Sequence, residues 1–365
     1  MNKTELKENK NIIRQFENGT FNLENRRYIG NKYKISEWIK KIIIQNTSGD
    51  TFFDVFAGTG VISKEILSEF NHIIINDFLY SNNIIYDAFF NSGNYNIELL
   101  NEKFVEYNLL TTNCYDDNYF INNYGGKFFS KRDSKIIGEI RERIDRDDSL
   151  RDNEKNILIA SLIYSLDKAA NTVGHYDAYR KNVELQDKFK FKLIKPVDTS
   201  GKTIEIYRKD ANELVKKVKS DVAFIDPPYN SRQYSRFYHL LEVVTKWDKP
   251  ALEGVAMKPK PENISDYCKS SAPDKFKELI DNLNTKYIVV TYNNNYSSKS
   301  SSSRNKISHE QILDTLNSVG STKVFEKNYR FFNAGKTNID NHKEFLFVTE
   351  VINGWASEFI WKHWK

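Results

Sequence analysis

The chain has 365 residues, 39% hydrophobic and 28% charged, with a net charge of +5. This length suits about two domains with a sizeable core, and the composition excludes a disordered, fibrous or disulfide-framed protein. No apolar run reaches the roughly 18 residues of a membrane span and no leader pattern stands out, so a soluble, cytoplasmic protein is expected, and the distant Cys114 and Cys268 suggest neither a disulfide nor a metal site.

Residues 1–22 are polar without a clear period and read as a loosely held arm. The basic stretch Arg26-Arg27-Tyr28-Ile29-Gly30-Asn31-Lys32-Tyr33-Lys34 then feeds a helix in which Ile35, Trp38, Ile39, Ile42 and Ile43 keep helical spacing. Helix N-termini and lysines attract anionic groups, so this loop is either an anion site or a solvated basic turn.

The next stretch, TFFDVFAGTGVISKEIL, predicts a buried strand over 51–55, a glycine turn over 56–60 and a helix over 61–70. Glycines let backbone approach a ligand that a Cβ would repel. The third glycine of a dinucleotide fingerprint is missing, which argues against NAD. A second buried strand, His72-Ile73-Ile74-Ile75-Asn76, closes on Asp77, placed where nucleotide-binding folds meet ribose hydroxyls. Phe78 beside it either covers a cofactor ring or belongs to the core.

After a helix near 81–90 the strand-helix rhythm stops until about residue 200, too long a gap for an ordinary connection, so 92–200 should be an inserted, mainly helical subdomain. It contains a charged helix near 136–144 and a strongly apolar one near 155–170. Two of its loops mix glycine, rings and positive charge: 124–132, with Lys127, Lys131 and Arg132, and 171–181, with His175, Tyr176, Arg180 and Lys181. Such loops suit phosphate contact and base stacking, or anchor their rings in their own core.

An alternating strand over 203–208 resumes the rhythm and leads to Asp210. The stretch DVAFIDPPYNSRQY follows. Val222 to Ile225 form a buried strand, and Pro227 and Pro228 stop it at Asp226, at the carboxyl edge where ligands of open α/β sheets bind. The Asp226 carboxylate and the Pro227 carbonyl are two acceptors for one exocyclic amino group, and Tyr229 offers a ring to stack on. Taken alone, the four residues serve equally as a strand-ending turn.

A helix over 234–247 has Arg232 and Arg236 about its start, placed to neutralise phosphates or to cap the helix. A buried strand over 286–291, a flexible serine-rich run over 297–303, a closing strand pair near 323–329 and 344–351, and a Trp-rich tail from Gly354 complete the chain.

With Asp226-Pro227-Pro228-Tyr229, the chain resembles the α-class, D12-type DNA adenine-N6 methyltransferases of restriction-modification systems. The resemblance implies an S-adenosylmethionine-dependent, Rossmann-like α/β sheet with an inserted, mainly helical target-recognition subdomain. The catalytic domain would span 1–91 and 201–365, and the DNA-reading subdomain 92–200. Tyr28, Gly30 and Lys32 match the segment that holds the methionine end of the cofactor, and Asp54, Phe56, Gly58 and Gly60 match its glycine loop. Asp210 would meet the cofactor's adenine amino group, and Arg330 would lie near the target base. Double-stranded DNA is the implied substrate, with a cognate restriction endonuclease as a further partner and no metal. The same cofactor motifs would serve a cytosine-N4 or RNA methyltransferase, and a vestigial loop would leave a non-catalytic DNA-binding module. All of it requires Asp77, Asp210 and Asp226 to share one crevice with Gly58.

Overall fold

The computed structural model describes residues 20–112, 116–228, 230–294, 305–328 and 343–352. Residues 1–19 of the arm, Cys114, Tyr229, the serine-rich run, Arg330 and the Trp-rich tail lie outside the described residues.

The strands are β1 (Thr51–Asp54), β2 (His72–Asn76), β3 (Thr203–Tyr207), β4 (Val222–Ile225), β5 (Tyr287–Asn293), β6 (Gly320–Asn328) and β7 (Lys343–Val351). They form one seven-stranded sheet in the order β3-β2-β1-β4-β5-β7-β6. The first five run parallel, and β7 pairs antiparallel with both β5 and β6. The apolar runs FF, III, VAFI and IVV are buried because both faces of a parallel sheet are covered. On one face, Phe53, Ala223, Ile225 and Val290 pack with Leu214, Phe276, Leu279, Ile312 and Leu316 from helices Ala211–Leu214, Ala272–Asn282 and His309–Asn317. On the other, Phe70 tilts onto Phe52 at 5.3 Å.

β3 departs from the expected alternation: residues 204–207 are all half-buried, because an edge strand has one strand neighbour. The helix expected over 61–70 is Val61–Ile66, with Gly60 at its N-cap in the left-handed region at φ +74°. The helix expected over 234–247 breaks at Tyr238 (φ −112°, ψ 20°) into Tyr234–Phe237 and His239–Lys246.

The chain forms two compact units. The sheet lies in residues 29–79, 199–235 and 262–365; residues 1–28, 80–198 and 236–261 form the other, whose regular elements are helical. In the helical unit, Asp152–Ala169 is buried all round from Ile157 to Asp167, as a helix apolar on every side must be. Tyr80–Phe90, Lys131–Arg146 and His239–Lys246 pack against it. Residues 80–91 and 236–261 thus cluster with the inserted stretch, and Phe21, within the expected loose arm, is buried and bridged to Ile194.

Candidate active site

β1 lies between β2 and β4, and the register pairs Asp54 with both Ile75 and Phe224. Asp77 and Asp226 each come two residues after those partners, so both emerge at the carboxyl edge on either side of Asp54. Asn76 pairs with Tyr207 on β3, which brings Asp210 to the same edge.

The glycine loop leaves β1 there. Val55 N–H donates to Phe224 O and Ala57 N–H to Asn76 O, each at 2.9 Å, tying the loop to both neighbouring strands. Gly58 and Gly60 hold φ of +54° and +74°, which strongly favours glycine. Gly58 N–H donates to Asp77 Oδ2 at 3.0 Å and Leu79 N–H to Oδ1 at 2.9 Å, so two backbone donors aim the Asp77 carboxylate. Phe78 is half-buried, and Phe56 meets Tyr267 edge-on at 5.0 Å.

Asp54 is buried, and its Oδ2 accepts from Ser63 Oγ at 2.7 Å. Its Oδ1 has no hydrogen-bond partner among the described residues. Burial pushes the Asp54 pKa up to about 7; the Ser63 bond works against this, and Asp226 and Asp77 add to it.

Lys32 supplies the opposite charge. Its Nζ lies 3.0 Å from Asp226 Oδ1 and 3.3 Å from Glu344 Oε1, and Glu344 Oε1 also accepts from Thr291 Oγ1 at 2.8 Å. Burial alone would lower the Lys32 pKa, but Asp226 and Glu344 outweigh it and the net shift is upward. Gly30, at φ +81°, turns the loop that delivers Lys32, and Tyr234 Oη donates to Ile29 O at 3.2 Å. Pro227 is buried and Pro228 half-buried.

Asp210 is exposed and caps Ala211–Leu214, accepting from Glu213 N–H at 3.3 Å. Arg232 is half-buried, and its carbonyl accepts from the Cys268 thiol at 3.3 Å. Glu344, Thr291 and Ser63 were not among the expected site residues. An antiparallel strand sends its first residues to the edge where parallel strands send their last, and the pairing of Asn293 with Glu344 is that case.

Tyr28 belongs to the helical unit, where it stacks on Tyr238 at 4.6 Å. The two glycine-aromatic loops also lie in this unit. Lys127, Asn171, Tyr179, Arg180 and Lys181 line one cavity of about 240 Å³, and the Asn171 Nδ2 amide joins the loops by donating to Lys127 O at 3.0 Å and Arg180 O at 2.9 Å. Lys131 and Arg132 are exposed, with Arg132 3.2 Å from Asp133. His175 stacks on Phe237 at 4.5 Å, and Arg236 Nη1 donates to Pro259 O at 2.7 Å.

Tyr176 corrects the expectation for its loop. It is buried, its hydroxyl donates to Asp167, and its carbonyl accepts from His239 Nε2 at 2.9 Å, so its ring packs the helical core and is not offered to a base. Tyr124, Phe128 and Phe129 are buried likewise.

Among the described residues no helix is long and apolar enough to cross a membrane, and no cluster of three or more His, Cys, Asp or Glu could hold a metal ion.

A parallel sheet closed by an antiparallel strand pair, with a glycine loop and a Pro-stopped acid at one edge, is the Rossmann-like sheet of a methyltransferase. Residues 28–300 match the D12 class N6 adenine-specific DNA methyltransferases, and the chain belongs to that family. Its activity is therefore methyl transfer from a methyl donor to adenine N6 in DNA.

Type II methyltransferase M.NlaIII of Neisseria lactamica is 28% identical over 346 residues, covering 88% of this chain and 98% of that protein. Type II methyltransferase M.CviAII of Paramecium bursaria Chlorella virus 1 is 29% identical over 339 residues, covering 89% and 98%. Modification methylase StsI of Streptococcus sanguinis is 31% identical over 296 residues, 73% of this chain but 44% of that longer protein.

Proposed function

We propose that the chain is the site-specific modification methyltransferase of a restriction-modification system, using S-adenosylmethionine and acting on an adenine turned out of double-stranded DNA. A cognate restriction endonuclease is the partner this role implies. The observation that carries the catalytic assignment is the pairing of Asp226, at the carboxyl edge of β4, with the buried Lys32.

The residues at that edge suit the cofactor. Gly58 and Gly60 admit close backbone approach, the Asp54 Oδ1, without a hydrogen-bond partner among the described residues, suits a cationic group, and Asp77 suits ribose hydroxyls. Gly30, Lys32 and Phe56 flank the space, Phe78 and Asp210 are assigned to the adenine end, and Tyr28 is proposed on its motif alone. When bound, S-adenosylmethionine would supply an electrophilic methyl: N6 would bond to the methyl carbon, the C–S pair would stay on sulfur, and N6 would lose one proton.

Turning the adenine out costs a few kcal/mol. Asp226 and the Pro227 carbonyl then accept the two N6 hydrogens, Pro228 keeps the turn rigid, and Tyr229 is the ring proposed to stack on the base. Asp226 takes the departing proton and passes it to water. Preorganised acceptors of this kind act without reorganising during the reaction.

Sequence reading is assigned to the helical unit. Lys127, Arg180 and Lys181 gather around one cavity, which supports phosphate contact there, and Lys131, Arg132 and His175 are assigned to further contacts with DNA. Arg232, Arg236 and Arg330 remain candidates for phosphate or target contact.

Replacing Asp226 by Ala should abolish methylation of duplex DNA while calorimetry still detects S-adenosylhomocysteine. Turnover at the wild-type rate would remove Asp226 from this role.

A further inference from the structure

Asp226 does not face Lys32 alone. Glu344, on the antiparallel strand β7, is 2% exposed and holds the same ammonium from a second side. Thr291, on the neighbouring strand β5, fixes the shared oxygen of Glu344. A buried carboxylate costs desolvation, and one ion pair between Lys32 and Asp226 would already have balanced the lysine. The second acid therefore adds a desolvation cost of its own.

We infer that Glu344 is a positioning residue of the methyl transfer, sharing Lys32 with Asp226 so that the ammonium does not wholly neutralise the Asp226 carboxylate beside the target amino group. The inference rests on the assignment of Asp226 above. The amino nitrogen becomes cationic as it takes the methyl group. An Asp226 carboxylate whose lysine is shared offers that charge more than one that holds the ammonium alone. The Glu344 carboxylate acts through Lys32: it draws the ammonium partly away from Asp226 and leaves Asp226 the stronger acceptor. Lys32 in turn holds Asp226 Oδ1 in one direction, and Thr291 keeps Glu344 from following the ammonium.

The test compares wild type with E344Q, E344D and D226A, measuring kcat, KM for duplex DNA, S-adenosylhomocysteine affinity by calorimetry, target-base extrusion by 2-aminopurine fluorescence, and melting temperature. E344Q keeps the size and the acceptor for Thr291 but removes the charge. Its kcat should fall by about tenfold or more, since charge-stabilising groups contribute about 10²–10³-fold when they act directly and less at one remove. KM, cofactor-product affinity and base extrusion should stay near wild type, and E344D, which keeps the charge, should recover part of the rate. Wild-type kcat in E344Q with an inactive D226A would overturn the inference and leave the Asp226 assignment intact. An active D226A would instead remove that assignment and the inference with it. Equal losses in E344Q and E344D, falling together with cofactor-product affinity and melting temperature, would reduce Glu344 to a structural residue and also overturn the inference.

Discussion

Each of the two units buries a cation, and the two cations are treated differently. In the sheet unit, Lys32 meets two carboxylates at distances of 3.0 and 3.3 Å, at the edge where parallel strands end. In the helical unit, Arg26 donates to Asn82 Oδ1 at 2.5 Å and lies over the rings of Tyr28 and Tyr238 at 4.9 and 5.7 Å. Its Nε and Nη2 have no hydrogen-bond partner among the described residues. Burial alone would lower the Arg26 pKa, and Asp167 and the surrounding tyrosines turn the net shift upward. Burial raises the Asp167 carboxyl despite Arg26 and despite the Tyr176 hydroxyl. Arg26 is thus held mostly by ring faces and packing, whereas Lys32 is held by charge at an edge from which the acid it pairs with can meet a substrate. The sheet unit thus sets its buried cation beside the proposed chemistry, and the helical unit sets Arg26 within a core.

Lys32→Met should separate the two most widely. It leaves the half-buried Asp226 and the buried Glu344 without this cation, so stability should drop by about 3 kcal/mol, as when buried pairs are broken. The single-turnover methylation rate of the folded fraction should fall by about 10²–10³-fold. Urea unfolding and rapid-quench methylation measure both, and an unchanged rate would place Lys32 with the packing cations.

Arg26→Met should cost about 3 kcal/mol of stability by the same reasoning. Its single-turnover rate, measured on folded protein, should stay at the wild-type value. A rate loss that exceeds the unfolded fraction would make Arg26 part of the chemistry and erase the contrast.

Asp54→Asn sharpens the comparison through pH. The folded carboxyl titrates near 7, above its ordinary value of 3.8. The folded state therefore keeps a proton that the unfolded chain releases, so this group's contribution is fully present below about pH 4 and is lost as pH rises toward 7. Relative to wild type, the asparagine variant should gain about 1–3 kcal/mol between pH 4 and pH 8, read by urea denaturation at both values. A stability difference that ignores pH would mean that Asp54 is ionised throughout.

Lys127→Ala and Arg180→Ala should have the smallest effects. Each should weaken binding of any duplex a fewfold and reduce the slope of log affinity against log salt by about one. A salt slope equal to wild type in both variants would take the cavity out of DNA contact.

Strands β1, β2 and β4 were legible because each is a short apolar run closed by residues that disfavour its continuation: Gly58 and Gly60 after β1, Asp77 after β2 and Pro227 after β4. Lys32 was legible as a candidate from its glycine-containing loop. Glu344 was not, because it opens an ordinary strand of alternating and apolar residues. Its arrival at the edge depends on β7 running antiparallel beside β5, which residues 343–351 do not encode. Tyr176 and Arg180 share one loop and one composition, yet one ring fills the core and one guanidinium is exposed, a choice made by Asp167 nearby on the apolar helix and by His239 far along the chain. The break at Tyr238 is hidden for the same reason: the apolar spacing continues through it, while its ring stacks on Tyr28. The grouping of residues 80–91 and 236–261 with the helical unit follows from packing against Asp152–Ala169, which no local pattern reports.

Methylation-sensitive sequencing of DNA from cells producing the wild-type chain or D226A tests the central assignment most directly. The wild type should leave N6-methyladenine in one short recurring sequence, and D226A should leave none. N6-methyladenine from D226A at the wild-type level, or N4-methylcytosine from the wild type, would contradict it.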